Sequence, residues 1–203
     1  MTTDVETPHG PARVHLDVVA EPLAWLVLGH GAGGGVTARD LVAAADEARA
    51  AEFGVALVEQ PYRVAGRRSP APARQLDAAW VAVVEHLRSS VLGTQPLVVG
   101  GRSAGARVAC RTAEATGAAG VLCLAFPLQP PRRKTGTAPP SRLDELDAVS
   151  VPVLVVQGAR DPFGMPPAAP RRTVVEVSGD HTLRTDLGAV GAAVGPWLRE
   201  LVD

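Results

Sequence analysis

The sequence predicts an α/β fold, with a mostly parallel central sheet that is covered by helices on both faces. Short, almost continuously apolar segments alternate with longer segments in which apolar residues recur every three or four positions. Continuous apolar runs are typical of strands buried on both faces, and their alternation with helices favours parallel pairing. The length of 203 residues, without an internal repeat or a clear boundary, fits one domain over residues 1–203.

Seven strands and four helices follow from these patterns. The predicted strands cover residues 13–19, 25–29, 55–59, 97–100, 121–125, 151–157 and 173–177. The predicted helices cover residues 38–51, 74–89, 106–116 and 186–202. The first helix is alanine-rich, and the second and fourth carry an apolar stripe. Trp80 and Trp197 lie on these stripes and are predicted to pack in the core rather than to hold a ligand.

Two connections are predicted to contain little regular structure. Residues 126–150 are too few for a helical lid over the sheet edge, so we expect an open pocket and no cap domain. Four prolines between residues 162 and 170 exclude a regular helix before the last strand, because each removes a donor and restricts its predecessor. That flank of the sheet is therefore thinly covered, and its apolar surface is a candidate contact for a homodimer.

Composition excludes several classes of protein. Hydrophobic residues make up 46% of the chain and charged residues 20%, as in a folded globular protein. There is no apolar run of membrane-spanning length, and residues 1–10 do not resemble a signal peptide, so we expect a cytoplasmic protein without membrane contact. A net charge of −1 gives no basis for binding nucleic acid. Cys110 and Cys123 are expected in the core, and no disulfide, metal or other cofactor is predicted.

The segment 101–105, Gly-Arg-Ser-Ala-Gly, directly follows a predicted strand and precedes a predicted helix. Glycines two residues on either side of Ser103 permit the sharp turn of a nucleophile elbow, which lifts the hydroxyl above the sheet edge. The backbone N–H of Ala104, at the start of the helix, would then face an oxyanion. A chain with 21 glycines also produces this spacing by chance, so an ordinary glycine-rich turn is the alternative.

A serine nucleophile needs a base and an orienting acid, which follow it in the order acid and then histidine in α/β-hydrolases. His181 is the only histidine after Ser103, and it follows a predicted strand and a turn. Asp161 is the preferred acid because the most convincing buried strand ends just before it, at the sheet edge that carries the elbow. Asp180 is the alternative, although a direct neighbour usually points away from the histidine ring.

A glycine-rich loop, Gly-His-Gly-Ala-Gly-Gly-Gly at residues 29–35, follows the second predicted strand. In α/β-hydrolases an early His-Gly-x-Gly segment supplies the second oxyanion N–H, which we assign to Ala32, with Gly33 as the next candidate. His30 is interpreted as a residue that fixes the loop by hydrogen bonds. Two other interpretations of this loop are disfavoured. A phosphate loop needs a following Gly-Lys-Ser/Thr, which is missing, and a dinucleotide site needs an acidic residue at the end of the next strand, for which Glu59 comes too late.

Five segments together resemble one known family: the loop at 29–34, the elbow at 100–105, Phe-Pro-Leu-Gln-Pro-Pro at 126–131, Val-Gln-Gly-Ala-Arg-Asp-Pro-Phe-Gly at 156–164, and Gly-Asp-His at 179–181. The chain resembles the lidless α/β-hydrolase-like family that includes testis-expressed protein thirty and the third regulatory subunit of the NSL acetyltransferase complex, related in fold to dienelactone hydrolases. The resemblance implies the α/β-hydrolase fold and places nucleophile, acid and base on Ser103, Asp161 and His181. The proline-rich segment 165–170 departs from the helix usual in the family, so no substrate contact is carried over there.

These features predict a serine hydrolase that cleaves an ester or thioester of a small acyl substrate through an acyl-enzyme intermediate. Carboxylesterase, thioesterase and lactone hydrolase activities stay open. The rival hypothesis is a non-catalytic protein-interaction module that keeps the hydrolase fold, because a fold does not prescribe an activity.

The loops at the carboxyl ends of the strands, where ligands bind to open α/β sheets, carry many arginines and few acids. This placement favours an anionic small-molecule substrate. The alternative is that the arginines solvate the loops or pair with helix carboxylates. The candidate substrate-binding residues are Tyr62, Arg63, Arg102 and Arg160, with Arg67, Arg68, Arg132, Arg133 and Lys134 on the same loops.

Overall fold

The computed structural model describes residues 1–130 and 139–202, and an eight-stranded sheet forms its centre. The strands are β1 (Thr2–Val5), β2 (Ala12–Asp17), β3 (Ala24–Gly29), β4 (Phe53–Glu59), β5 (Leu97–Arg102), β6 (Gly120–Leu124), β7 (Val153–Gly158) and β8 (Arg172–Val177). Their order is β1-β2-β4-β3-β5-β6-β7-β8, and all pairs are parallel except β1 with β2 and β2 with β4. The predicted mostly parallel sheet is confirmed.

Helices cover both faces of this sheet. They are α1 (Arg39–Ala50), α2 (Pro61–Val64), α3 (Ala73–Leu87), α4 (Ala104–Thr112), α5 (Leu143–Asp147) and α6 (Leu187–Glu200), and a π-helical turn at 88–92 extends α3. One apolar cluster joins α1 and α6 to one face, and a second joins α3 and α4 to the other. The predicted α/β architecture with helices on both faces is therefore confirmed.

The central strands are the most deeply buried part of the molecule. Every residue of β3, β6 and β7 is buried, which explains why their sequences are apolar apart from Gln157 in β7. Trp25 and Trp80 are each 1% exposed and pack in the cluster beneath α3 and α4, where burial of each large apolar side chain contributes about 1.5–3 kcal/mol. Cys110 and Cys123 are buried thiols whose sulfur atoms lie 3.5 Å apart.

Three short elements were not predicted from the sequence. β1 is polar, and it forms because its backbone pairs with the outer edge of β2, where Asp4 lies opposite Arg13. α2 and α5 are only four and five residues long, too short to show a helical period. Tertiary pairing and packing, rather than local pattern, determine all three elements.

The two unusual connections agree with the sequence where the structure describes them. No helix forms between β7 and β8, as the four prolines predicted, and the exposed side chains of β8 include the polar Thr173 and Glu176. The dimer contact on this flank stays a prediction. Between β6 and β7, α5 is the helix in the described part, and residues 131–138 lie outside the described residues. Within 1–130 and 139–202, no helix has the length and apolar character needed to cross a membrane.

The first turn of α4 lies directly against the end of β3, which makes a glycine necessary there. A Cβ on Gly105 would come within 2.3 Å of the Gly29 carbonyl oxygen, and both partners are backbone. We expect Gly105→Ala to lower the free energy of unfolding by about 2 kcal/mol or more, measured by urea denaturation. Gly188, in α6, is the matched control, because the nearest atom to its Cβ would be 3.6 Å away. Gly188→Ala should raise the stability by about 0.5–1 kcal/mol, and equal effects of the two changes would contradict this account.

Candidate active site

Ser103 lies in a strained turn between β5 and α4. Its backbone has φ 52° and ψ −103°, a conformation that non-glycine residues rarely adopt and that must be held by its surroundings. Gly101 and Gly105 flank it, and a Cβ on either would lie within 2.4 Å of the Gly29 carbonyl oxygen. The Ser103 N–H also donates to the carbonyl of Leu124 on β6, at 2.9 Å. The turn therefore has the geometry that the sequence predicted for a nucleophile elbow.

Ser103, His181 and Asp161 form a continuous chain of hydrogen bonds. The Nε2 atom of His181 lies 2.9 Å from the Ser103 hydroxyl oxygen, and its Nδ1 atom lies 2.8 Å from Oδ2 of Asp161. The carboxylate accepts the Nδ1 proton, which leaves Nε2 as the acceptor for the serine hydroxyl. The structure thus brings together the three predicted residues from the carboxyl ends of β5, β7 and β8. Asp180, the alternative acid, instead accepts hydrogen bonds from the backbone and hydroxyl of Thr182.

Asp161 and His181 are themselves held by buried contacts. The side-chain amide of Gln157, which is fully buried in β7, donates to Oδ2 of Asp161 at 2.9 Å. The N–H of Phe163 donates to Oδ1 of the same carboxylate, also at 2.9 Å. The Phe163 ring packs edge-on against the His181 imidazole, with 4.5 Å between ring centroids. Sequence analysis missed Gln157, although a single amide in an otherwise apolar strand is a signal of such a role.

The glycine-rich loop after β3 is fixed from below by His30 and Tyr62. Nε2 of His30 accepts the N–H of Gln60 at 3.1 Å, and its Nδ1 bonds the carbonyl of Gly31 at 2.8 Å. The Tyr62 hydroxyl donates to the carbonyl of Ala32 at 2.9 Å. His30 therefore has the loop-fixing contacts that the sequence predicted, and Tyr62 supports the loop.

Ala32, Ser103 and Ala104 line the same cavity. Within the described ranges, neither of these two N–H groups donates to a protein acceptor. Gly33, the second predicted donor on this loop, is exposed and does not line the cavity. Ala32 and Ala104 stay the predicted backbone donors to an oxyanion.

A cavity of about 320 Å³ opens beside Ser103. Leu76, Pro127 and Phe163 line part of it with apolar surface, and three arginines line another part, namely Arg107, Arg111 and Arg142. The described residues contain no group of three or more His, Cys, Asp and Glu side chains that could hold a metal ion.

Comparison with known families agrees with this architecture. The family described as "Alpha/beta hydrolase domain" matches residues 22–185, which is most of the chain. The chain belongs to the α/β-hydrolase family. No curated protein matches the sequence significantly.

Solved structures show the same fold along almost the whole of this α/β-hydrolase. A serine hydrolase without a lid from Xanthomonas campestris is 21% identical, with a TM-score of 0.72, and the match covers 97% of this chain and 94% of that one. Est1E from Butyrivibrio proteoclasticus is 15% identical, with coverages of 99% and 98% and a TM-score of 0.79. A serine hydrolase homologue from Coxiella burnetii is 16% identical, with coverages of 100% and 95% and a TM-score of 0.70. At these identities the similarity shows the fold.

The predicted substrate-binding residues of this α/β-hydrolase lie outside the cavity beside Ser103. Arg102 is bound inside the protein: its Nε pairs with the carboxylate of Asp40 at 2.8 Å, and its Nη2 donates to the carbonyl of His181 at 2.8 Å. Tyr62 is buried under the glycine-rich loop, Arg63 is half-buried and Arg160 is exposed. Arg132, Arg133 and Lys134 lie outside the described residues.

The arginines that do line the cavity were not singled out by sequence analysis. Arg107 and Arg111 come four and eight residues after Ser103, which places all three on one face of the helix that starts at the elbow. That spacing was an available signal. Arg142 precedes α5 and carries no such signal, because only the tertiary fold brings it to this wall.

Acidification should destabilise the protein through His30, which is 2% exposed. Burial lowers the pKa of His30 below its ordinary value of 6.5, so the folded state stays neutral where the unfolded chain takes up a proton. The unfolded state then binds more protons, and the free energy of unfolding decreases as pH falls below 6.5. We expect urea denaturation from about pH 7 to about pH 5 to show a smaller decrease for His30→Gln than for wild type. Parallel curves would refute this assignment.

The buried Asp40 carboxylate should stabilise the loop that carries His181 through Arg102. Burial raises the pKa of Asp40, and the pairing with Arg102 opposes that shift. Asp40→Asn leaves the guanidinium, which is 17% exposed, without its counter-charge, so we expect a loss of about 2–3 kcal/mol in urea denaturation. Asp46→Asn is the control, because its carboxylate is 60% exposed on the same helix and its loss should change little. A neutral effect of Asp40→Asn would show that the pair contributes nothing.

Proposed function

We propose that this α/β-hydrolase is a serine hydrolase that cleaves an ester or thioester of a small acyl substrate through an acyl-enzyme intermediate. The observation that carries the proposal is the chain of hydrogen bonds from Ser103 through His181 to Asp161, at 2.9 and 2.8 Å. A hydroxyl, an imidazole and a buried carboxylate in this order are the groups that acyl transfer requires. Ser103 itself lines a cavity that can hold a substrate.

In the first half of the reaction, the Ser103 oxygen attacks the carbonyl carbon of the substrate while Nε2 of His181 accepts the hydroxyl proton. Asp161 stabilises the imidazolium that forms, and it holds the ring so that Nε2 faces the serine. The carbonyl electrons move onto oxygen, and the N–H groups of Ala32 and Ala104 donate to that oxyanion. When the carbonyl re-forms, the alcohol or thiol leaves with the proton from His181, and the acyl group stays on Ser103.

In the second half, a water molecule attacks the acyl carbon and gives its proton to His181. The tetrahedral intermediate collapses, the carboxylic acid is released, and the Ser103 oxygen recovers its proton from the imidazolium. No cofactor takes part in these steps. Each oxyanion donor is expected to contribute about 10²–10³-fold to turnover.

The solved neighbours support this chemistry by their fold and not by detailed similarity. Est1E, whose structure with bound ferulic acid is known, and the esterase domain of a Rhodothermus marinus protein share the architecture at 15% and 16% identity. The cavity of about 320 Å³ favours a small acyl group, and it is compatible with esters, thioesters and lactones alike. The predicted relation to the family of testis-expressed protein thirty remains part of the proposal.

A fluorophosphonate probe tests the proposal, because such a probe reacts with an activated serine. We expect it to label wild type on Ser103, and we expect Ser103→Ala to abolish labelling. That variant should also lower the turnover of a short-chain aryl ester by about 10⁴-fold or more, since the three residues act as a unit. Ser69→Ala is the control, because Ser69 is exposed and lies outside the cavity.

Absence of labelling in folded wild-type protein, with folding verified by its thermal transition, would contradict the proposal. That outcome would favour a non-catalytic interaction module that keeps the hydrolase fold.

A further inference from the structure

The helix that begins at Ser103 places two arginines at the cavity wall. Arg107 and Arg111 follow the serine by four and eight residues in α4, so their Cα atoms lie roughly 6 and 12 Å farther along the helix axis. Arg142, at the start of α5, joins them from the neighbouring element. All three arginines line the cavity that contains Ser103.

Two of these arginines are held by carboxylates. Arg107 binds Glu145 through two nitrogens, with Nε at 2.8 Å from Oε2. Arg111 binds Asp77 through two hydrogen bonds of 2.6 and 2.9 Å, and it also reaches Glu145 at 3.3 Å. These two guanidinium groups and two carboxylates balance in charge, and the pairing fixes the positions of the arginines.

Arg142 is the third of these arginines, and its contacts differ from those of the other two. Its Nη1 donates to the carbonyl of Pro127 at 3.0 Å, and within the described ranges no carboxylate lies in ion-pair contact with it. Residues 131–138 contain no aspartate or glutamate in the sequence. Burial and the nearby Arg107 and Arg111 guanidinium groups lower the pKa of Arg142, and the Glu145 carboxylate opposes this shift, while the side chain keeps its charge at neutral pH. Among residues 1–130 and 139–202, the Pro127 carbonyl is the one hydrogen-bond acceptor of this half-buried guanidinium, which leaves N–H groups that could bind a ligand anion.

The cavity receives the acyl part of the substrate rather than the leaving group. Its lining includes Ser103, Ala32 and Ala104, the proposed nucleophile and oxyanion donors, and does not include His181. The leaving group takes its proton from His181, so it must lie on that side of the serine. At about 30 Å³ per water-sized group, 320 Å³ holds on the order of ten non-hydrogen atoms.

We propose that Arg142 binds a carboxylate carried by the acyl group, so that the preferred substrates are half-esters or half-thioesters of short dicarboxylic acids. The proposal rests on the proposed serine-hydrolase function and adds the substrate class and the residue that selects it. The pairs that Arg107 and Arg111 form with Glu145 and Asp77 are neutral together, so the net positive charge among these side chains is that of Arg142. The predicted preference for an anionic substrate is thus retained, with residues other than Arg63, Arg102 and Arg160.

The selectivity can be measured as protection: a ligand that occupies the cavity slows the labelling of Ser103 by a small neutral fluorophosphonate. This assay reports binding, so the ligands do not have to be good substrates. Three ligands are compared: methyl hydrogen glutarate, its neutral amide methyl 5-amino-5-oxopentanoate, and 2-carboxyethyl butanoate, whose carboxylate lies in the alcohol part. The half-protecting concentration in wild type should be about tenfold or more lower for methyl hydrogen glutarate than for the amide. The ester with the carboxylate in its alcohol part should have no such advantage, and added salt should reduce the difference.

Variants test whether Arg142 causes the preference for the carboxylate ligand over its amide. Protection in each variant is expressed relative to the labelling rate of that variant without ligand. In Arg142→Met the half-protecting concentrations of the amide and the carboxylate should be nearly equal. Arg142→Lys should recover part of the difference, because lysine restores the charge but not the two parallel hydrogen bonds of the planar guanidinium. Arg160→Met removes an equal charge at an exposed site near the triad and should keep most of the preference.

Three results would overturn the role of Arg142 and leave the proposed function standing. They are equal half-protecting concentrations of the amide and the carboxylate in wild type, a preference for 2-carboxyethyl butanoate, or an unchanged preference in Arg142→Met. Folded wild-type protein that is not labelled at all would overturn the proposed function, and the inference with it.

Discussion

The contact between the nucleophile elbow and the end of β3 is the constraint on which the site depends. The Gly29 carbonyl lies so close to residues 101 and 105 that a side chain at either position would overlap it. This contact forces Ser103 into its strained turn and starts α4 directly above the sheet. The glycine-rich loop that follows Gly29 passes close to the serine, since a Cβ on Gly31 would lie 3.7 Å from the Ser103 Cβ, and Ala32 of this loop lines the same cavity as Ala104. Backbone packing thus brings Ser103 to the same cavity as Ala32 and Ala104.

Buried polar contacts then fix the remaining parts of the site. Arg102 and Asp40 connect the elbow with α1 and with the backbone of His181, while Gln157 connects β7 with Asp161. A buried polar group costs free energy unless it is paired, so these side chains are stable only in the arrangement that pairs them. Preorganisation of this kind is what electrostatic stabilisation of a transition state requires.

The sequence predicted the features that depend on local pattern or on chain order. Apolar runs located the buried strands, the Gly-x-Ser-x-Gly spacing located the elbow, and the order of Ser103, Asp161 and His181 selected three residues that the structure brings into hydrogen-bond contact. β1 was missed because its residues are polar and its pairing is tertiary.

The partners of the arginines could not be predicted for a similar reason. Whether an arginine faces a ligand or a carboxylate depends on elements distant in sequence, such as Asp40 for Arg102 and Glu145 for Arg107. Arg142 reaches the cavity only because α5 packs beside α4. The sequence therefore predicted the hydrogen-bonded residues Ser103, His181 and Asp161, but not the arginines that line the cavity.

The central claim is that acyl transfer proceeds through a covalent bond to Ser103. Mass spectrometry of the protein, quenched with acid shortly after mixing with 4-nitrophenyl acetate, tests this claim most directly. The account predicts a mass increase of one acetyl group on the peptide that contains Ser103, and a loss of that adduct in His181→Gln. Release of nitrophenol without any adduct, or with the acetyl group on another residue, would contradict it.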